Sequence, residues 1–347
     1  MNKTKLLNEM YKYFNFALLA WEDNSKDHVQ DFECNKSYFL SDQNKQDMCK
    51  DMNEYRKTSK CIYKGNKETS ATYNVYERPQ ENEVILAFRG SDSMIDWQAD
   101  FSFFKKDFKT TNIESYMTSQ EDFEIECGLE FMRSNESFFD TQFNFFKNAK
   151  LSSLPFNISI SKEIGFDHKT MIDSDNKIES IVDFYREYKN MIKFHGGFLT
   201  KYLSVAKEFN EDINKYMQKY KKITIVGHSL GAALAKLAYI FTCINHPNNV
   251  NRFKCWIYGS PKVGNIFLEK LVRESKMNKK IFICNIETDL VSMVPPNNLG
   301  FCENKNDITI KRIKAPYNTK MDHTLFYYLY CMRYKAPMEI TMDKNNE

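Results

Sequence analysis

The feature that most constrains this chain is the segment ITIVGHSLGAALA at 223–235, where a short apolar strand runs directly into an alanine-rich helix. Ser229 lies at the junction, with Gly227 and Gly231 two residues to either side. Glycines at these places permit a tight turn that lifts the serine hydroxyl into the open. Alternatively, Ser229 only caps the helix by accepting hydrogen bonds from its first amides. The combination of strand, G-x-S-x-G and helix favours a nucleophile.

Strand and helix patterns alternate along the chain around this turn. The predicted strands are 71–77, 83–88, 223–226, 253–258 and 280–286, and the predicted helices are 198–220 and 230–244. The strands are rich in β-branched and apolar residues, and the helices carry apolar residues at helical spacing. Such alternation predicts an α/β fold with a mostly parallel central sheet flanked by helices. In these sheets the chemistry lies at the carboxyl ends of the strands.

Composition narrows the class of protein. The charges nearly balance, with 49 basic and 46 acidic residues in no sustained basic run, which argues against a nucleic-acid partner. Nine cysteines at irregular spacing predict reduced thiols and no metal site. Residues 1–23 predict an amphipathic helix and no signal peptide, and no apolar run reaches the ~20 residues that cross a bilayer. We therefore expect an intracellular protein, soluble or peripherally bound to membranes.

A serine nucleophile requires a base that accepts its proton and an acid that orients the base. In this sheet architecture the chain order is serine, acid, histidine. Of the six histidines, only His323 follows both Ser229 and a suitable acid. Asp289, just past the predicted strand 280–286, is the preferred acid. Glu287 competes with it, whereas Asp322 adjoins the base, and neighbouring side chains on an extended segment point to opposite sides.

Acyl transfer also requires donors for the developing oxyanion. The amide of Leu230, at the start of the helix after Ser229, supplies one such donor. The loop after the strand 83–88 is the expected source of the second, and Ser91 lies in it. A plain turn would also satisfy the glycine and serine content of this loop.

Seven segments carry a resemblance to a known family. They are VILAFRGS at 84–91, DWQAD at 96–100, HGGF at 195–198, GHSLG at 227–231, YGSPKVGN at 258–265, TDLV at 288–291 and VPP at 294–296. Together, in this order, they resemble the class 3 lipases, the fungal triacylglycerol lipase-like branch of the α/β-hydrolases. The resemblance covers about 70–330.

The resemblance implies roles for individual residues. Ser229, Asp289 and His323 match the catalytic triad, and Ser91 with the Leu230 amide matches the oxyanion hole. Asp100 matches an aspartate that orients the oxyanion serine, and Trp97 falls where the family places its lid. His195 and the segment 258–265 match packing positions. No cofactor is implied.

The chain departs from the fungal pattern between Trp97 and His195, where almost a hundred residues intervene and a folded insertion is expected at about 104–190. A packed helical subdomain and an enlarged lid are both compatible with its aromatic content. We predict an extension at 1–70, with loops and one or two short helices over 24–70. The lipase-like domain then spans 71–335 and a tail 336–347.

These features predict a serine hydrolase of lipid acyl esters, resembling a triacylglycerol or diacylglycerol lipase or a phospholipase A1. The substrate is a lipid ester, and contact with a membrane or lipid-droplet surface is left open. Two alternatives remain: a short-chain esterase, and a non-catalytic lipase-like protein that binds a partner. A complete triad order argues against the second, since a binding scaffold has no need of it.

Overall fold

The computed structural model describes residues 3–21, 42–66, 71–90, 192, 194–295, 301–302, 307–312, 323, 325–334 and 338–342. Ser91, Trp97, Asp100 and the predicted insertion at 104–190 lie outside these described residues.

Eight strands of the described residues form one sheet, and their order in the sheet follows their order in the chain. They are β1 (Lys60–Asn66), β2 (Ala71–Arg78), β3 (Glu83–Phe88), β4 (Lys222–His228), β5 (Phe253–Tyr258), β6 (Ile281–Ile286), β7 (Asp307–Arg312) and β8 (Met338–Met342). Strands β3 to β7 pair in parallel, whereas β1, β2 and β8 add antiparallel edges. The predicted α/β architecture with a parallel centre is confirmed.

Helices cover both faces of the sheet. They are α1 (Lys3–Leu19), α2 (Asp42–Lys57), α3 (Gly196–Lys219), α4 (Leu230–Asn245), α5 (Ile266–Glu274) and α6 (Leu325–Tyr334). Alternate strand residues face opposite sides, so Leu86 and Ile225 pack with α3, α4 and α5, whereas Ile85 and Val226 pack with α1, α2 and α6. Within the described parts of the chain, no helix combines the length and apolarity that crossing a bilayer requires.

The first 70 residues contribute more to this core than the sequence indicated. Helix α1 forms as predicted, and its apolar side is fully buried against the sheet. The expectation of only loops and short helices over 24–70 is wrong for β1, which pairs with β2 at the sheet edge. Its mixed sequence KCIYKGN lacks an apolar run because an edge strand is only partly covered. At the other end of the chain, β8 lies within the predicted tail.

Candidate active site

The turn between β4 and α4 holds Ser229 in a conformation that non-glycine residues seldom adopt, with φ 59° and ψ −128°. Its backbone N–H donates to the carbonyl of Tyr258 at 3.0 Å. Among the described residues, the hydroxyl makes no capping hydrogen bond to α4. Such a strained serine turn places the hydroxyl at the carboxyl edge of the sheet. The geometry therefore does not support a role for Ser229 as a simple helix cap.

Two glycines permit this turn because other chain segments lie directly against them. A Cβ atom on Gly227 would lie 2.1 Å from the carbonyl oxygen of Gly231. A Cβ atom on Gly231 would lie 2.5 Å from the carbonyl oxygen of Phe88, at the end of β3. Both distances are far below van der Waals contact, so neither position has room for a side chain. The close approach also brings the end of β3 against the turn that carries Ser229.

A line of hydrogen bonds joins Ser229, His323 and Asp289. The Nε2 atom of His323 lies 2.8 Å from Oγ of Ser229, and its Nδ1 atom lies 2.9 Å from Oδ2 of Asp289. With its proton on Nδ1, the imidazole donates to the carboxylate and accepts the serine proton at Nε2. All three residues are buried, and Asp289 is completely enclosed. The structure thus brings together the three residues that the chain order selected.

Asp289 is fixed by its own loop as well as by His323. It follows β6 and precedes a short 3₁₀ turn, Leu290–Met293, whose Val291 N–H donates to Oδ1 at 2.9 Å. Glu287, the competing acid, is exposed to solvent. Burial and directed hydrogen bonds distinguish the two carboxylates, because a buried carboxylate must find donors.

Tyr328 on α6 is a neighbour of Asp289 that sequence reasoning missed. Its hydroxyl donates to Oδ2 of Asp289 at 2.7 Å and accepts from the N–H of Ile286 at 3.0 Å. Burial, reinforced by the charge of Asp289, raises the pKa of Tyr328 well above its usual range. The phenol therefore keeps its proton and remains a donor. Only its place in an apolar helix just after His323 hinted at such a contact.

A second histidine lies against the base. The ring of His228, the last residue of β4, stacks on the ring of His323 with centroids 4.8 Å apart and planes inclined by 27°. Burial lowers the pKa of His228 well below its usual range, and the neighbouring His323 adds to the shift. The His228 ring is therefore neutral near pH 7, and it provides a flat wall for the base without adding a charge.

The turn after β5 lies directly against Asp289 and His323. Gly259 has a positive φ of 54°, and a Cβ atom there would lie 2.8 Å from Oδ2 of Asp289 and 3.2 Å from Cε1 of His323. A side chain at this position would displace both Asp289 and His323. This contact gives a physical reason for the glycine in the segment 258–265.

The remaining predicted site residues are only partly described. Leu230 is the first residue of α4, so its N–H has no carbonyl acceptor one turn earlier within the helix and lies next to Ser229. Ser91 follows Gly90, the residue at which the described part of that segment ends. His195 caps α3 by accepting from the N–H of Phe198 at 3.4 Å, and burial lowers its pKa to about 3. In the described residues, no cluster of histidine, cysteine and acidic side chains is suited to a metal ion.

The Tyr328 contact leads to a testable expectation. Tyr328→Phe should lower kcat about 10-fold, because a hydrogen bond to a charged group contributes about 1.5–3 kcal/mol and helps hold the acid in place. Steady-state hydrolysis of a soluble ester measures the effect. Tyr216→Phe is the matched control, since that buried hydroxyl has no hydrogen-bond partner in the described structure. Equal kcat values for the two variants would contradict the role of Tyr328.

The chain is similar to known proteins in part of its sequence and in its fold. Residues 168–299 match the family described as lipase (class 3). The chain is 31% identical over 120 residues to a secreted mono- and diacylglycerol lipase of Malassezia globosa. The segment 168–299 is thus similar to the class 3 lipases. A second similar protein, phospholipase A1-IIgamma of Arabidopsis thaliana, is 25% identical over 185 residues.

These matches are partial. They cover 34% of this chain and 38% of the Malassezia protein, and 46% of this chain and 43% of the Arabidopsis protein. The fold similarity extends further. A solved structure of a mutant form of MDLA from Penicillium cyclopium aligns with a TM-score of 0.51 at 14% identity, over 100% of this chain and 89% of that one. A triacylglycerol lipase aligns with a TM-score of 0.50 at 16% identity, over 90% and 81%.

The comparison contradicts the expected intracellular location. The similar proteins from Malassezia globosa and Malassezia restricta are secreted lipases. The expectation rested partly on cysteines, and for two of them the structure removes the argument. Cys243 and Cys255 are free thiols that are fully buried, and burial raises the pKa of Cys243 to about 12. Buried neutral thiols react poorly, so they do not require a reducing compartment.

Proposed function

We propose that this chain is a serine hydrolase of lipid carboxylic esters. The observation that carries the proposal is the continuous line of hydrogen bonds from Asp289 through His323 to the strained Ser229. The two relatives are named for different lipids. One is a mono- and diacylglycerol lipase and the other is a phospholipase A1, and both names denote ester cleavage. The substrate class common to both is an acyl ester of a glycerolipid.

The proposed reaction begins with attack by the Oγ atom of Ser229 on the ester carbonyl carbon. His323 accepts the serine proton at Nε2, and Asp289 stabilises the resulting imidazolium through Nδ1. The tetrahedral intermediate collapses as His323 gives that proton to the leaving alcohol, and the acyl group stays on Ser229. Water, deprotonated by His323, then attacks the acyl-enzyme, and His323 returns that proton to Oγ of Ser229 as the fatty acid leaves.

The negative charge that develops on the carbonyl oxygen requires donors. The Leu230 amide is adjacent to the nucleophile at the amino end of α4, where the helix dipole favours an anion. We assign the second donor to Ser91, oriented by Asp100. The end of β3, which precedes Ser91 in the chain, packs directly against Gly231 in the turn that carries Ser229. One such donor contributes roughly a hundred- to a thousand-fold in rate. Trp97 and the insertion at 104–190 are proposed to form the lid or a helical subdomain beside it.

The proposed surroundings of the enzyme follow from its relatives and its surface. Because the Malassezia relatives are secreted, we propose an extracellular location. Ile266 and Met293 are large apolar side chains with 46% of their surface exposed, near the loops that follow β5 and β6. Those loops lie at the carboxyl edge that carries the triad, so a lipid surface could contact the protein there. The nearly balanced charge gives no reason to propose a nucleic-acid partner.

A substrate panel tests the proposal. We expect release of fatty acid from monoacylglycerol or diacylglycerol emulsions, or from the sn-1 position of phosphatidylcholine vesicles, at rates well above those with p-nitrophenyl acetate. Covalent labelling of Ser229 by a fluorophosphonate, mapped by mass spectrometry, should accompany turnover. Faster hydrolysis of acetate than of any lipid would instead indicate a short-chain esterase. Neither turnover nor labelling would contradict a hydrolase and favour the partner-binding protein.

A further inference from the structure

Helix α1 places one aromatic side chain in contact with three rings beneath the triad. Phe14 is completely buried. Its ring meets Tyr258 edge-to-face with centroids 4.8 Å apart, meets His228 edge-to-face at 6.1 Å, and stacks on Tyr328 at 5.9 Å. Aromatic pairs of this kind have preferred geometries, so a shift of one ring constrains the others.

Each of the three residues that carry these rings contacts a different member of the triad. The carbonyl of Tyr258 accepts the backbone N–H of Ser229 at 3.0 Å. The ring of His228 stacks on His323. The hydroxyl of Tyr328 donates to Asp289 at 2.7 Å. The side chain of Phe14 therefore contacts one neighbour of each triad residue.

A hydrogen bond fixes α1 at this place. The hydroxyl of Tyr258 donates to the carbonyl of Met10, one turn before Phe14, at 2.7 Å. Helix and site are thus joined by a polar bond as well as by packing. The family match begins at residue 168, so α1 lies outside the matched segment and its link to the site emerges from the structure.

We propose that Phe14 is a positioning residue, which sets the alignment of Ser229, His323 and Asp289 through Tyr258, His228 and Tyr328. The inference rests on the proposed function of that triad. Misplacing a reacting group by about 1 Å can cost about 100-fold in rate, so small movements of the three rings have a measurable effect. If Phe14 only filled the core, replacing it would lower stability and leave the rate per folded molecule unchanged.

Phe16 on the same helix provides the matched control. It is also completely buried, but among the described residues its ring contacts are with Tyr55, Tyr76 and the guanidinium of Arg78, and not with Tyr258, His228 or Tyr328. Phe14→Leu and Phe16→Leu remove the same atoms from the same helix. Comparable losses of thermal stability are expected for the two, which separates packing from positioning.

The expected result concerns kcat. Phe14→Leu should lower kcat at least about 10-fold with KM within about twofold, measured well below the melting temperature. Phe16→Leu should retain the wild-type kcat. A second readout requires no substrate: the proton that His323 shares with Asp289 gives a downfield NMR resonance. We expect that resonance to be lost or broadened in Phe14→Leu and to be retained in Phe16→Leu.

Specific outcomes would overturn this inference. One is an equal kcat in the two leucine variants together with an unchanged resonance, and another is a wild type without the resonance. If Phe14→Leu does not fold, Phe14→Met restores most of the volume and is compared with Phe16→Met by the same criteria. The wild type could show the resonance but cleave no ester, with the resonance lost in Phe14→Leu and kept in Phe16→Leu. That result would contradict the proposed function and leave the positioning role standing.

Discussion

Ser229→Ala is expected to lower kcat by roughly a million-fold, which is the scale on which removal of a catalytic serine acts in a Ser-His-Asp enzyme. The variant loses the atom that attacks the carbonyl, and His323 loses the hydroxyl 2.8 Å from its Nε2 atom. The oxyanion donors and the substrate contacts remain, so a small residual rate is expected.

The fold should survive this change. Alanine has the same Cβ atom as serine and places no new group against Gly227 or Gly231, so the strained turn is not crowded further. Removing a polar group from a buried, strained site often leaves stability equal or higher. Thermal unfolding should therefore give an unchanged or raised Tm. Loss of activity without loss of Tm would separate chemistry from folding.

The control for Ser229→Ala is a buried serine outside the site. Ser275, at the end of α5, donates its hydroxyl to the carbonyl of Leu271 and is distant in the fold from the carboxyl edge of β4. Ser275→Ala should keep the wild-type kcat. Initial rates on the best lipid substrate and fluorophosphonate labelling measure both variants. More than about 1% of the wild-type kcat in Ser229→Ala would contradict its role as nucleophile.

Local patterns in the sequence predicted the elements that carry the chemistry. The strand and helix around Ser229 have strong periodicity and require glycines at fixed places, so the turn could be predicted from thirteen consecutive residues at 223–235. The chain order then selected His323, and the end of a strand favoured Asp289. The three side chains lie together in the structure because the geometry of a strand end is set locally and the parallel sheet brings strand ends together.

Contacts that join distant parts of the chain could not be predicted in this way. Phe14 and Tyr328 lie near opposite ends of the chain and stack on each other, yet each looks like an ordinary apolar residue of a helix. Strand β1 lacked an apolar run because it pairs at a partly covered edge. Sequence periodicity shows which face of an element is buried, but it does not show which other element covers that face.

The predicted intracellular location was wrong for a related reason. Free thiols indicate a reducing compartment only when oxidants can reach them, and accessibility depends on the fold. Cys255 points from β5 to the carbonyl of Ala235 on α4, and Cys243 is enclosed within the same layer. A count of cysteines could not reveal that both side chains are packed between sheet and helix.

Asp289→Asn is expected to lower kcat about 10,000-fold, because the amide reverses the pattern of donors and acceptors around the base. Asp289 accepts from the Nδ1 atom of His323, from the N–H of Val291 and from the hydroxyl of Tyr328. The asparagine oxygen can accept from the donors around only one of the two carboxylate oxygens. The NH₂ group then faces the donors around the other. The imidazole is then favoured in the tautomer with its proton on Nε2, where it cannot accept the proton of Ser229.

Glu287→Gln distinguishes this explanation from a general effect of charge. Glu287 lies two residues from Asp289 on the same loop but is exposed, so its loss removes one negative charge without altering the line of hydrogen bonds. Its kcat should stay within about twofold of the wild type, since an exposed charge is screened by water and salt. Both variants are compared on one substrate at one ionic strength. A larger loss in Glu287→Gln than in Asp289→Asn would assign the acid to Glu287, and the buried hydrogen bonds of Asp289 would then serve only to hold the loop after β6.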